Sequence, residues 1–565
     1  MGYNHTGGKN MSKYIIVGGV AGGTGAATRL RRLIGDNEII VLERSGYVSF
    51  ANCGLPYYVG DVIKDEDKLI VQTTTQLKQR YNLDVRVHTE AIKIDRKAKT
   101  VDIRNIDTGE VYRESYDLLL LSQGADPAKP PIPGIDLPGV HTLRFVEDVR
   151  ILRGLADSEA VKSVLVVGGG FIGIELAENY THRGKEVHLA EFSDQVMPPM
   201  DYEMACILQQ EMRRNGVGLN LSCGVTAIEE SEGRLKASLS NGKEIVVDKV
   251  VIATGTRPDV SMAKEAGLDI GPLGGVVVDS HMRTSDPSVY AVGDMVEVKN
   301  FITGKTVVSA LAGPANKQGR IAASNMAGED IEYAGILGTS VLKVFTLHAG
   351  NTGMNEKTLK QQGVEYEKVY CSPWAHAEYY PGARHVMMKL LFNPSTGKVY
   401  GAQAVGIDGV DKRIDVLATA IRFGATVWDL QGLELGYGPP FSTAKDPVNY
   451  LGFIAGNVIS GQTNIFHWHD VEDLGEFPFI ADVRADMDFF MGAIPDSMNI
   501  SLNVLRDRID EFPDDEPVYL VCREGLRAYI AECALREHGI SDVKNLSGGY
   551  ELWEAVNAER KAIEK

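Results

Sequence analysis

Nowhere in this 565-residue chain do 18 apolar residues stand together, so no segment is expected to cross a bilayer as a helix. Basic residues are outnumbered, 58 Lys and Arg against 76 Asp and Glu, and the net charge of −18 argues against nucleic acid and anionic membrane surfaces as general partners. An anionic ligand would need a local basic cluster. Cysteine is scarce as well. Cys53, Cys206, Cys223, Cys371, Cys522 and Cys533 are too few for a disulfide scaffold, and none shows the Cys-x-x-Cys spacing of a zinc site. A reducing cytoplasm is the expected location, and no metal is expected. Residues 1–10 lack the apolar core of a signal peptide and are expected to be a tail outside the fold.

What is present is glycine and short apolar runs. Sixty glycines and 44% hydrophobic content point to an α/β protein of three or four domains. Tyr14–Val17 reads as a strand, Gly18, Val20 and Gly23 fall in the loop after it, helix sequence follows, and a second strand ends at Glu43. This is the dinucleotide fingerprint: glycine permits the tight turn, the helix N-terminus faces the pyrophosphate, and the carboxylate accepts from ribose hydroxyls. Val20 occupies the usual middle glycine. The pattern recurs with Gly168, Gly170 and Gly173 as a full G-x-G-x-x-G, and its second strand ends at Glu191. With Glu191 at the adenosine 2′-hydroxyl and no Arg close behind, NADH is favoured, NADPH remaining possible. Two more apolar strands lead to Gly124 and Gly255, as chain crossovers near a cofactor do. Asp294 follows a strand where its carboxylate can accept from a polyol.

From about 335 to 455 the pattern changes to strand-like segments before an apolar-periodic helix, with Tyr379 and Tyr437 in loops rich in aromatic residues, Pro and Gly. A polar stretch then precedes a last block of about 100 residues with α/β character. In that block Cys522-Arg523-Glu524-Gly525-Leu526-Arg527 lies between an apolar strand and a helix expected to begin near Ala528. Such a loop points backbone N–H groups inward, and with the helix dipole and nearby Arg it is expected to lower the Cys522 pKa and cradle an anion or persulfide.

This order of parts resembles the pyridine-nucleotide disulfide oxidoreductase family, and the last block resembles a rhodanese domain. The resemblance implies two nested Rossmann-like domains, an FAD-binding domain at 11–125 and 256–330 and an NAD(P)H-binding domain at 126–255. An α+β dimerisation domain at 331–456, a linker at 457–464 and a rhodanese domain at 465–565 would follow. It implies a homodimer, with Glu43, Arg44 and Asp294 holding FAD and Gly168, Gly170, Gly173 and Glu191 holding the nicotinamide nucleotide.

Cys53 departs from the paired Cys-x-x-x-x-Cys of most disulfide reductases, because Phe50, Ala51, Gly54 and Leu55 surround it. No local disulfide can form, so its thiolate must cycle through a sulfenic acid, a persulfide or a mixed disulfide with a small thiol. The stretch from Ser49 to Pro56 is similar to that of coenzyme A-disulfide reductases. That narrower resemblance implies coenzyme A bound by Arg29, Arg32, Ser49, Asn52, Asn316 and Lys445. Tyr379 and Tyr437 would come from the other subunit as proton donors to a leaving thiolate. The rhodanese resemblance implies that Cys522, with Arg527, carries sulfane sulfur to coenzyme A or to Cys53. Two alternatives stand beside this reading: an NADH oxidase or peroxidase working through a Cys53 sulfenic acid, and an electron-transfer flavoprotein with a sulfur-sensing rhodanese module.

Overall fold

The computed structural model describes residues 12–563, so the tail expected at 1–10 lies outside the described residues. One compact unit runs to Ala190 and resumes from Gly224 to Ile336; the other takes Glu191–Cys223 and continues from Leu337. Residues 191–223, within the segment expected to bind NAD(P)H, therefore pack with the second unit.

The first unit contains β1 (Lys13–Val17), α1 (Ala21–Ile34), β2 (Glu38–Leu42), α2 (Leu55–Val59), β3 (Asp84–Arg86) and β4 (Leu118–Leu121). A second set follows: β5 (Ser163–Val167), α3 (Phe171–His182), β6 (Glu186–Ala190) and β7 (Lys249–Ile252). The chain then returns with β8 (Val289–Ala291) and α4 (Ala312–Met326). Strands order as β8-β4-β1-β2-β3 in one parallel sheet and include β6-β5-β7 in another, the nesting that the sequence implies. Parallel strands covered on both faces need continuous apolar runs, and Ile15, Ile16, Ile40 and Leu119 to Leu121 are fully buried.

The two fingerprints repeat one geometry. A Cβ on Gly18 would lie 2.2 Å from the Ser122 carbonyl oxygen, and one on Gly168 would lie 2.4 Å from that of Ala253. A Cβ on Gly23 would lie 1.8 Å from Gly18 O, and one on Gly173 would lie 1.9 Å from Gly168 O. Only glycine lets each loop turn this tightly under the next strand and each helix start this close to it.

The second unit holds an antiparallel sheet of β9 (Ser340–Val344), β10 (Leu347–Gly353), β11 (Glu367–Cys371), β12 (Val386–Phe392) and β13 (Val399–Gly406), ordered β9-β10-β13-β12-β11. On it α5 (Val410–Arg422) lays Val410, Ile414, Leu417 and Ile421, one stripe at helical spacing. Helix α6 (Pro447–Ile459) starts on Asp446, whose carboxylate accepts from Val448 N–H. The centre of β12 carries Lys389, fully buried, its ammonium donating to Asp201 at 2.8 Å, to Glu203 at 2.6 Å and to Glu356. Burial opposes a charge there, but the carboxylates of Glu203, Asp201 and Glu356 hold Lys389 well above its ordinary value.

The last block is a third parallel sheet: β14 (Ile465–Phe466), β15 (Phe479–Asp482), β16 (Met498–Asn499), β17 (Val518–Val521) and β18 (Val543–Leu546), ordered β14-β18-β17-β15-β16. Helices α7 (Leu526–Glu537) and α8 (Gly549–Ile563) accompany it. Cys522 leaves the carboxyl end of β17, the edge where open α/β sheets place their ligands. Among the described residues no helix is long and apolar enough to cross a membrane.

Candidate functional site

Cys53 sits in a one-turn helix, Asn52–Gly54, that leads into α2. Its loop is anchored from both sides: Ser49 N–H donates to Gly19 O at 2.7 Å, Val71 N–H to Ser49 O at 2.9 Å, and Ala51 N–H to Leu69 O at 2.7 Å. Ser49 takes a left-handed φ of 50° to make that turn. Cysteine therefore follows the first dinucleotide loop at a fixed place, and its side chain is exposed. Neighbouring groups still desolvate it, and together with the carboxylates of Glu175 and Asp294 they push the thiol up from its ordinary value. Two residues absent from the sequence reading belong to this environment. Tyr57, four residues past Cys53 on α2, donates to Glu175 Oε1 at 3.1 Å, and burial pushes Glu175 up to about 7. The i, i+4 spacing of Cys53 and Tyr57 was the available signal.

The nucleotide cradles suit the groups the fingerprints imply. Glu43 is buried and accepts from Gly19 N–H and Ser45 N–H, both at 2.9 Å, which fixes its carboxylate beside the first loop. A Cβ on Gly170 would meet nothing within 4 Å, unlike Gly168 and Gly173 on either side, so open space lies over the second loop where a pyrophosphate approaches. Gly124 and Gly255 both turn with positive φ, 74° and 97°, and a Cβ on either would also meet nothing within 4 Å. Asp294 follows Gly293, whose N–H donates to Gln318 at 2.8 Å, and burial raises its carboxyl to about 6 against the opposing charge of Arg144. Arg44 and Arg144 both lie over the Phe145 ring, at 5.3 and 4.8 Å. Val20, at the usual middle glycine, is the residue before α1. Glu191 follows β6 and its Oε1 accepts from Ser193 N–H at 2.8 Å.

Of the residues expected around coenzyme A, Arg29 and Asn316 both lie along the α1–α4 seam. Arg29 is engaged there, with Nε donating to Ser324 at 3.2 Å and the guanidinium 3.4 Å from Glu329. Asn316 faces α1, its Oδ1 3.3 Å from where a Gly25 Cβ would be. Arg32, Asn52 and Lys445 are exposed. Tyr379 and Tyr437, 58 residues apart in sequence, are brought together: their phenol oxygens stand 2.7 Å apart, and both rings are exposed, at 74% and 53%. That hydrogen bond raises the Tyr379 hydroxyl from its ordinary value.

Cys522 is fully buried, and Gly525 N–H donates to its Sγ at 3.0 Å. The inward-pointing amides expected of this loop are therefore present, but the expected lowering of the pKa is not. Burial pushes the thiol up, and the backbone N–H groups of Ala528, Glu524 and Gly525 and the charge of Arg527 offset this only in part. The helix begins at Leu526, two residues before the expected start, so Arg527 lies in its first turn.

Two dinucleotide cradles, one exposed cysteine after the first of them and a second cysteine in an amide-lined loop define a two-nucleotide oxidoreductase joined to a sulfurtransferase-type domain. The chain belongs to the pyridine nucleotide-disulphide oxidoreductase family, whose pattern matches residues 12–319; that family's dimerisation domain matches 339–447 and a rhodanese-like domain matches 468–556. The chain is similar to the crystal structure of reduced Bacillus anthracis CoADR-RHD, at 46% identity and a TM-score of 0.94, covering 98% of this chain and 99% of that one. It is also similar to an NAD-dependent persulfide reductase from A. fulgidus, at 38% identity and 0.91, covering 96% and 100%. Two curated relatives are each 35% identical: an NADH oxidase of Methanocaldococcus jannaschii, covering 77% of this chain and 96% of its own, and a CoA-dependent NAD(P)H sulfur oxidoreductase of Pyrococcus furiosus, covering 78% and 98%.

Proposed function

We propose that this protein is a cytoplasmic homodimer that uses NADH to reduce coenzyme A disulfide, coenzyme A persulfide or polysulfide at Cys53, while Cys522 delivers sulfane sulfur. The observation that carries the reading is the exposed pair of phenols, Tyr379 and Tyr437, hydrogen-bonded at 2.7 Å in a chain whose exposed Cys53 has no second cysteine in its loop. A thiolate that attacks a disulfide needs a proton donor for the thiolate it expels, and the two phenols can supply it. The names of the relatives with persulfide, sulfur and CoADR activities support the same substrate class.

Bound FAD supplies the two-electron relay between NADH and sulfur, and the chain's own residues do the rest. The Cys53 thiolate attacks R–S–S–R, forming Cys53–S–S–R and expelling RS⁻, to which Tyr379 and Tyr437 of the partner subunit give a proton. Two electrons then cleave the mixed disulfide and regenerate the Cys53 thiolate with release of a second RS⁻, so that NADH, one proton and the disulfide give NAD⁺ and two thiols. With a persulfide the product is hydrosulfide. Arg32, Ser49, Asn52, Asn316 and Lys445 hold the coenzyme A moiety, with Arg29 joining them once released from Glu329. Glu191 selects NADH over NADPH.

Anaerobic NADH oxidation with each sulfur substrate tests this, with sulfide and thiol as readouts. Cys53→Ser is expected to lose all turnover, and Cys522→Ser to lose only the reactions that begin from sulfane sulfur. Peroxide or water formation from oxygen as the main activity, in a purified protein that binds no coenzyme A, would favour the oxidase reading instead.

A further inference from the structure

A twelve-residue loop, Trp374 to His385, carries Tyr379 at its tip. Its neck is closed by a Trp374–His385 bridge, by ring stacking of the same two residues at 3.8 Å, and by hydrogen bonds from Ala375 N–H to Arg384 O at 2.8 Å and Val386 N–H to Pro373 O at 3.0 Å. Near the tip, Ala377 N–H donates to Pro439 O at 3.2 Å, tying the loop to the one that presents Tyr437. The neck touches the Cys522 loop at two points. Glu524 Oε2 is 3.7 Å from His385 Nδ1, which itself donates to Ser372 O. Ser372 Oγ donates to Glu551 at 3.5 Å, and Glu551 pairs with Arg523 at 3.4 Å. The two threads form a ring: Arg523, Glu551, Ser372, His385, Glu524. In its middle Glu524 Oε2 and His385 Nε2 are shielded from solvent and have no hydrogen-bond partner.

We propose that Glu524 is a positioning residue for the reductase reaction: through His385 it sets the neck of the loop that presents Tyr379, so that sulfur loading at Cys522 bears on the Tyr379–Tyr437 pair. The inference rests on the function proposed above. Loading from a hydropersulfide donor transfers one sulfur atom: R–S–S⁻ and Cys522–SH give RSH and Cys522–S–S⁻. The neutral thiol thereby becomes an anion two residues from Glu524. The groups facing Glu524 are His385, Arg523 and Arg527, which favour its charge, and Glu551, which opposes it, with the buried Cys371 and Tyr450 nearby. Burial already raises the Glu524 carboxyl, so a new anion in its loop favours its neutral form and weakens its hold on His385.

Coenzyme A disulfide tests this in the full-length holoenzyme, because its reduction bypasses Cys522. Glu524→Gln is expected to lower kcat by about tenfold with KM for NADH unchanged. An ionisation should vanish from the pH profile, and Glu524→Asp should recover part of the rate. Trp374 emission reports the neck directly: polysulfide is expected to change it in wild type and leave it unchanged in Glu524→Gln, Cys522→Ser and Trp374→Phe. Wild-type kcat and pH profile in Glu524→Gln overturn the proposal, as does a loss of rate that follows only a fall in Tm. If wild type reduces none of coenzyme A disulfide, coenzyme A persulfide and polysulfide, the proposed function fails. The Trp374 response then still decides whether loading reaches the neck.

Discussion

At the scale of single residues, the chemistry is governed by which thiols are desolvated and which carboxylates face them. Cys53 is exposed yet held up from its ordinary pKa by partial burial, Glu175 and Asp294, and Glu175 itself titrates at about 7. Below that pH Glu175 is neutral and opposes the thiolate less; above it the carboxylate charge works against ionisation. Glu175→Gln removes that charge at every pH, so alkylation of Cys53 by iodoacetamide is expected to move to lower pH, measured as labelling rate against pH. A shift to higher pH would show that the Tyr57 hydrogen bond, not the charge, governs the thiol. Cys53 itself was legible in the sequence because no second cysteine accompanies it. Glu175 was not, since it comes from α3, over a hundred residues away, and only the packing of α2 on α3 brings it near.

At the scale of elements, identical substitutions are expected to act in opposite ways within one loop. Gly170→Ala adds a methyl group to open space at a φ of −78°, which any residue adopts, so the protein should fold with unchanged Tm while KM for NADH rises. Gly173→Ala places the same methyl group 1.9 Å from Gly168 O and is expected to cost about 2 kcal/mol or more in overpacking. Thermal melts and NADH titration separate the two. The strand–glycine–helix order made both loops readable beforehand, because backbone approach leaves its mark on residue type. The ring linking the Cys522 loop to the Tyr379 loop left none: His385, Glu524 and Glu551 are ordinary residues in sequence. The Cys522 pKa misled for a related reason, since the amide-lined loop is a local pattern while the burial that outweighs it is tertiary.

At the scale of the whole molecule, the antiparallel sheet of the second unit holds a buried charge beside its apolar core. Lys389→Met would leave Asp201, Glu203 and Glu356 buried without their cation, at a cost of about 3–5 kcal/mol. A fall in Tm with no change in the coenzyme A disulfide rate of the surviving fold is expected; a rise in Tm would mean that the carboxylates protonate and pack without loss. The fold class and order of parts were legible because the strand–glycine–helix pattern recurs in the sequence and the order of motifs resembles a known family, whereas this ionic centre joins residues from 201 to 389 and has no local pattern to read.

The exposed Tyr379–Tyr437 pair has one more consequence. If each proton-donating pair serves the cysteine of the opposite protomer, two separately inactive proteins can rescue one another. Cys53→Ser retains sound tyrosines, and Tyr379→Phe/Tyr437→Phe retains a sound cysteine. Unfolding and refolding a mixture of equal parts would place half the chains in hybrid dimers, each with one intact centre. Such complementation should return roughly a quarter of wild-type turnover from two silent parents.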